Sequence, residues 1–407
     1  MINSTFPGTN QLAGLALFLL SGTMAAGQVV LTPAMPTPPG GNAASPSPPL
    51  VSSGPFEIRP SLSYQLTYAE GLQQTPGVAS DTTIQTFSPA VQVQLAKRTS
   101  VSYTYTRSLY SGDSFRDTEG HNASVSTSRT LGETNLSGSF GYQKSTDVLV
   151  ETARQTTQES YRTRVGTGRS FGRHTAVSVD LSHADRKAYG VLAPTPELSN
   201  PGWVDWSAAV RAIYQFSSQA QAALGATRTI SYVNTGPDIV STRPQIELSW
   251  QPTPRINTSL AVGMDYQSYS RGEVKQRSDP TYTLSGGYQL TSKTNLNVSA
   301  DRATSASHFA NQSTLAQTYR VGVSQRLLKR LFFNAGYSYQ YSSFRNNFFV
   351  GALARKNHVE TYTAGISTSF FQRGSLGLSY SESRNNSNFS LYSYATRQMS
   401  LNASYQF

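Results

Sequence analysis

From Phe56 to the C-terminus, the chain alternates apolar and polar residues with a period of two, segment after segment. The first segment sets Leu62, Tyr64 and Leu66 against Ser63 and Gln65. Successive side chains of a β-strand point to opposite faces, so each such segment predicts a strand with one apolar and one polar face. Repeated over most of a chain, this pattern is typical of a transmembrane antiparallel up-and-down β-barrel, an all-β fold.

The composition agrees with a wall that is apolar on one side only. Hydrophobic residues make up 37% of the chain and charged residues 14%, so a large conventional core and a charge-rich disordered chain are both disfavoured. The 23 Tyr and 18 Phe favour strands. The polar face must therefore meet water, a lumen or a ligand.

Connections between the predicted strands alternate between tight and longer. Eight tight hairpins and one strand at each end predict about eighteen strands, with sixteen as the alternative. Both termini then lie on the tight-turn side, which is periplasmic in outer-membrane barrels. The predicted tight turns are near Lys97-Arg98, Gly132-Glu133, Gly172-Arg173, Ser217-Ser218, Pro252-Thr253-Pro254, Ser292-Lys293, Lys329-Arg330 and Arg373-Gly374.

Two further segments precede the barrel. Residues 1–27 contain a short apolar stretch and small residues typical of a signal peptide, and residues 28–54 form an arm rich in Pro, Gly and Ser. Residues 55–407 are predicted to be the barrel of a bacterial outer-membrane protein, surrounded by membrane lipid and lipopolysaccharide. The terminal Phe407 resembles the signal that the barrel-assembly machinery reads.

The polar face is predicted to line the pore. Most of its residues are Ser, Thr, Asn, Gln and Gly, which suit water or hydroxyl-rich solutes. Its charged residues give a mildly positive balance, and they either contact an anionic solute or form ion pairs that brace the wall. These predicted pore-lining residues are Arg59, Arg162, Arg164, Arg211, Arg243, Arg320, Arg326, Asp180, Asp205, Glu247, Asp265 and Asp301.

The sequence contains no motif that predicts catalysis. H-E-x-x-H and G-x-x-x-x-G-K-[ST] are absent, the glycine-rich segment 166–172 lies in a predicted strand, and the five histidines are scattered without metal-ligand spacing. The net charge of +11 comes from dispersed residues rather than from basic runs. We therefore predict no enzyme activity, no cofactor, no metal site and no nucleic-acid partner.

The opening segments Pro55-Phe56-Glu57-Ile58-Arg59-Pro60-Ser61-Leu62-Ser63-Tyr64, 81–93 and Ser102-Tyr103-Thr104-Tyr105 resemble the start of the β-barrel porin type 2 family. The resemblance implies an outer-membrane pore that exports a secreted polysaccharide together with a periplasmic polysaccharide-export protein. The alternative is a general or solute-specific diffusion porin for small hydrophilic molecules.

Loop lengths bear on this choice, because porins usually fold one long loop into the lumen. No such loop is evident in the sequence. The longest predicted outer connections are Lys187 to Trp203, Tyr269 to Pro280 and Phe344 to Lys356. A barrel of this size without a plug is expected to stay wide enough for a polymer chain.

Overall fold

The computed structural model describes residues 51–75, 77–96, 98–112, 114–149, 154–189, 202–234, 236–306, 312–346, 354–371 and 373–407. The predicted signal peptide and most of the predicted arm lie outside the described residues. The last part of the arm, Val51–Ser53, forms a short strand that pairs with the first barrel strand.

Within the described residues, the chain is built almost wholly of β-strands, with one 3-10 turn at Ser390–Tyr392. No helix in this part of the chain is long and apolar enough to cross a membrane. The strands are β1 (Val51–Ser53), β2 (Phe56–Thr75), β3 (Val78–Leu95), β4 (Thr99–Tyr110), β5 (Thr118–Leu131), β6 (Thr134–Leu149), β7 (Arg154–Phe171), β8 (Thr175–Tyr189), β9 (Gly202–Ser217), β10 (Ala220–Val233), β11 (Ile239–Thr253), β12 (Ile256–Tyr269), β13 (Gln276–Thr291), β14 (Thr294–Ala306), β15 (Gln312–Arg326), β16 (Leu331–Asn346), β17 (Arg355–Phe370), β18 (Gly374–Ser387) and β19 (Tyr394–Gln406).

Strands β2 to β19 form a closed antiparallel barrel of eighteen strands, as the sequence predicted. Each strand pairs with the next, and β19 pairs with β2 to close the wall. At this seam Leu401 lies opposite Leu66, and the hydroxyls of Thr67 and Ser400 are 2.8 Å apart. Closure pairs the edges that an open sheet would leave exposed.

The tight turns lie within a few residues of their predicted positions. At one end of the barrel, here called the tight-turn end, β5 and β6 are joined by Gly132 and Glu133 alone. Gly132 has φ +60° and Gly172, between β7 and β8, has φ +73°. Glycine adopts this left-handed conformation without the steric cost that a Cβ imposes.

Connections at the opposite end, here called the loop end, are shorter than predicted. Strand β13 already begins at Gln276, so Pro280 lies inside a strand, and the connection after β12 is 270–275. Strand β16 continues to Asn346 and β17 begins at Arg355, leaving 347–354 between them. The prediction of longer loops here was wrong because polar and charged residues at the loop end were read as loop, although strand pairing continues through them.

The two faces of the wall differ as the alternation predicted. On β11, Ile246 is 61% exposed and Leu248 44%, whereas the intervening Glu247 is only partly exposed and paired with Arg211. The polar face is the concave one: Arg211 on β9 reaches Glu247 on β11 at 3.4 Å, passing over the intervening strand β10. Such a contact is favoured where side chains converge toward the barrel axis.

Exposed aromatic residues on the apolar face mark both ends of the barrel. Phe171, Phe216 and Trp250 lie toward the tight-turn end, and Tyr68 and Tyr266 toward the loop end. Two aromatic girdles around an apolar band are the features by which a barrel sits in a bilayer.

Candidate functional site: the polar lumen

One side of the lumen is lined mainly by neutral hydrogen-bonding side chains that pair between neighbouring strands. The hydroxyls of Ser102 and Ser124 are 2.7 Å apart, and those of Thr361 and Ser383 are 3.1 Å apart. These pairs arise because directly opposed residues of an antiparallel sheet share a face. They form ladders of donors and acceptors without net charge along β17–β19 and β2–β6.

The other side, from β7 to β16, carries most of the ion pairs. At mid-wall, Asp180 on β8 lies 3.1 Å from the Nη2 of Arg164 and 3.9 Å from the Nη2 of Arg211. The Nε of Arg211 is in turn 3.4 Å from Glu247. Arg211 is 6% exposed and Asp180 5%, so each charge is neutralised where water has little access.

A second group of ion pairs lies closer to the loop end. Asp265 is fully buried and accepts hydrogen bonds from Gln267 Nε2 at 2.8 Å, from Arg243 Nη2 at 3.3 Å and from the Ser241 hydroxyl. Asp265 stands directly opposite Asp279, whose charge is balanced by Arg345. These contacts fix the side chains against the wall.

All twelve predicted pore-lining residues occupy the polar face of the wall. Ten of them form ion pairs with described residues. Arg59 pairs with Glu57, Asp205 with Arg186, and Arg320 with Asp301. The two groups described above contain the other six, which are Arg164, Arg211, Arg243, Asp180, Glu247 and Asp265. The remaining two, Arg162 and Arg326, have no carboxylate partner among the described residues. The structure therefore favours wall bracing for most of the predicted arginines.

Sequence reasoning missed two charged residues of the lumen, Arg186 and Asp279, and also Arg345, which pairs with Asp279. Arg186 pairs with Asp205 at 3.2 Å and lies over the ring of Trp203, 5.4 Å from its centroid. Asp279 and Arg345 complete the second group of ion pairs. All of them were read as loop or loop-flanking residues, and the lengthened alternation near the loop end was the signal that would have placed them in strands.

An apolar cluster interrupts the polar lumen at its loop end. Phe115, in the connection between β4 and β5, is 5% exposed and stacks on Tyr110, with ring centroids 5.5 Å apart. This mouth cluster consists of Ala69, Leu72, Ile84, Phe115, Val359 and Tyr394. Because Ile84 and Tyr394 share the polar face with Thr67 and Ser400, the connection that carries Phe115 turns into the lumen.

The inward turn is anchored on the far side by β7. The backbone N–H of Arg116 donates to Gln155 Oε1 at 3.1 Å, and Gln155 Nε2 donates to the Arg116 carbonyl at 2.9 Å. The connection thus contacts β2 through Phe115 and β7 through Arg116, and so crosses the mouth of the barrel. The sequence showed no long constricting loop, and the structure places a short connection there instead.

Beside this cluster, a cation is held between two rings. The guanidinium carbon of Arg355 lies 3.8 Å from the ring centroid of Phe344 and 4.0 Å from that of Tyr392. Tyr392 belongs to the 3-10 turn before β19, and Asn385 donates to its carbonyl at 2.6 Å. These contacts hold the connection between β18 and β19 against the wall.

No group of three or more His, Asp or Glu side chains is placed to hold a metal ion within the described ranges. The lumen therefore offers hydrogen bonds, ion pairs and one aromatic constriction as its chemistry.

The closed wall, the apolar outer face between aromatic girdles and the polar lumen define a β-barrel of the bacterial outer membrane. No protein-family model matches the chain, and no curated protein matches it. The predicted membership of the porin type 2 family stays a prediction.

Solved structures share the barrel architecture at low identity. The chain is similar to the siderophore receptor PiuA from Acinetobacter baumannii (9% identity, 88% of this chain and 82% of that one, TM-score 0.48). It is also similar to OccAB4 from the same organism (12%, 86% and 98%, 0.45) and to the siderophore receptor PirA from Pseudomonas aeruginosa (9%, 86% and 80%, 0.44). With TM-scores below 0.5, these similarities say nothing about what this barrel carries.

Proposed function

We propose that this barrel is an outer-membrane conduit through which a secreted polysaccharide leaves the cell. The observation that carries the proposal is the lumen wall itself, in which neutral hydroxyl and amide groups form ladders and most charges are ion-paired. Such a wall exchanges hydrogen bonds with a hydroxyl-rich chain at many equivalent positions and holds it tightly at few. Passage then makes and breaks no covalent bond.

A periplasmic polysaccharide-export protein is the partner that this function requires. It would dock at the tight-turn end, where both ends of the barrel chain lie and where the Pro-rich arm of residues 28–54 is attached. The arm's length and composition suit a tether between the barrel and such a partner.

The mouth cluster favours a second candidate function, a diffusion porin for small hydrophilic molecules. An inward connection that narrows one side of the lumen would set a size limit for solutes. The two functions differ in what passes: a continuous polymer in one case and only small solutes in the other.

Deletion of the gene followed by measurement of surface polysaccharide tests the proposal. We expect export to fall and to return on complementation with the full-length chain. A complementing variant with Ser102→Trp, Ser124→Trp and Ser338→Trp, which narrows the lumen from β4, β5 and β16, should not restore it. The matched variant with outward-facing Val101→Trp, Val125→Trp and Val321→Trp should.

Unchanged export in the deletion strain would overturn the proposal. In that case, a planar-bilayer conductance with a sharp exclusion limit for small neutral polymers would establish the diffusion porin instead.

A further inference from the structure

We infer that Arg162 is the anion-binding residue of the lumen and that the chain it contacts carries carboxylates or other anionic groups. The inference rests on the proposed function and deepens it by assigning a substrate class. Arg162 lies near the middle of β7, on the polar face, between Gly141 of β6 and Ala184 of β8.

The surroundings of Arg162 leave its guanidinium accessible. A Cβ added at Gly141 would meet no atom within 4 Å, and Ala184 on the other side contributes only a methyl group. Arg162 itself is exposed, unlike Arg211 at 6%. It therefore projects over a floor of small residues into open lumen.

The ion pairs around Arg162 leave its positive charge without a described carboxylate to balance it. Its neighbours Arg164 and Arg186 are paired with Asp180 at 3.1 Å and Asp205 at 3.2 Å. Arg162 has no carboxylate partner among the described residues, and it lies close enough to Arg186 for the two charges to repel. An anion at this point would relieve that repulsion without breaking an existing pair.

The neutral residues nearby complete a site for a charged sugar. Ser160 lies on the same face, two residues along β7 from Arg162, and Ser182 lies on that face two residues along β8 from Ala184. Hydroxyls beside a guanidinium provide the combination that a uronate needs, because the guanidinium fork matches the two carboxylate oxygens and the serines match ring hydroxyls. The largely neutral wall of β17–β19 and β2–β6 leaves the anionic groups directed toward β7.

The test uses the full-length barrel in planar bilayers, with oligogalacturonate and a malto-oligosaccharide of equal length as probes. In the wild type we expect anion selectivity in a salt gradient and block by the acidic oligomer at lower concentration than by the neutral one. Arg162→Gln should reduce the anion selectivity and weaken the acidic block about tenfold, the loss expected for one charge-assisted hydrogen-bonded contact.

The matched control is Arg228→Gln, which removes the same charge from β10. In the sheet, Arg228 lies opposite Ala208 and Thr242, and its side chain is on the outward face, away from the lumen. It should leave both selectivity and block unchanged.

Equal block by the acidic and neutral oligomers in the wild type would overturn the inference. So would an Arg162→Gln variant that keeps wild-type selectivity and block. These outcomes are separate from the export measurement. Lost export in the deletion strain together with unchanged selectivity in Arg162→Gln refutes the anion site alone. Unaffected export in the deletion strain together with changed selectivity in Arg162→Gln refutes the conduit alone.

Discussion

Arg211 on β9 reaches across β10 to Glu247 on β11, placing its Nε 3.4 Å from the carboxylate. The intervening strand allows this because Gly225 lies opposite Arg211 and Ala223 lies opposite Glu247. Small residues on the middle strand leave a path for the long side chain. Residues with side chains of ordinary size at these two positions would block it.

Replacing Arg211 is expected to destabilise the barrel. Arg211→Met leaves Glu247 without its partner on a poorly hydrated wall, and we expect a loss of about 2–3 kcal/mol in the free energy of unfolding. Denaturant unfolding of the barrel in lipid vesicles measures it. The double variant Arg211→Met with Glu247→Met should recover much of the loss.

Arg384→Met is the control for this prediction, because that ion pair with Glu382 leaves the arginine side chain 56% exposed. An exposed pair contributes little, so its loss should leave the free energy of unfolding close to the wild-type value. Equal effects at Arg211 and Arg384 would contradict the proposed brace.

The open path over β10 gives a second prediction, for Gly225→Ala. A Cβ here would lie 3.0 Å from the Cγ of Arg211 and 3.0 Å from the Val210 carbonyl, closer than ordinary contact. We expect a loss of about 1 kcal/mol, the order of a small overpacking cost. Gly141→Ala, which meets no atom within 4 Å, is the control and should leave the unfolding midpoint unchanged. A tolerated Gly225→Ala would show that Arg211 adapts freely.

Phe115→Ala is expected to widen the loop end of the lumen. The aromatic side chain anchors the mouth cluster, so its removal should raise single-channel conductance and admit larger neutral polymers. Burial of the ring also predicts a stability loss of about 3 kcal/mol. Phe389→Ala, in the connection between β18 and β19 and 44% exposed, should change neither quantity. Unaltered conductance in Phe115→Ala would mean that the cluster does not restrict the pore.

Phe407→Ala separates assembly in the cell from intrinsic stability. The ring of Phe407 is 43% exposed and packs edge-on against Tyr405 at 5.1 Å, so it contributes little to the wall. If the assembly machinery reads this residue, the variant should accumulate poorly in the outer membrane yet refold normally into detergent micelles. Phe371→Ala, 82% exposed at the same end, should accumulate normally. A defect confined to refolding in detergent would contradict this role.

The sequence by itself determined the strand pattern, the position of the tight turns and the face on which each side chain lies. The reason is local: a period of two fixes orientation, and two- or three-residue turns such as Gly132-Glu133 require particular backbone conformations. The predicted pore-lining residues therefore occupy the polar face without exception.

Only the tertiary structure decided which of those residues are neutralised. Arg211 meets Glu247 two strands away, and Arg345 meets Asp279 three strands away, distances that no local pattern encodes. It also decided that the connection carrying Phe115 turns inward, because a single buried aromatic in a short polar segment has no periodic signal. Closure of the barrel brings distant strands onto one concave surface, and that geometry leaves Arg162 as a charge without a described partner in the middle of the wall.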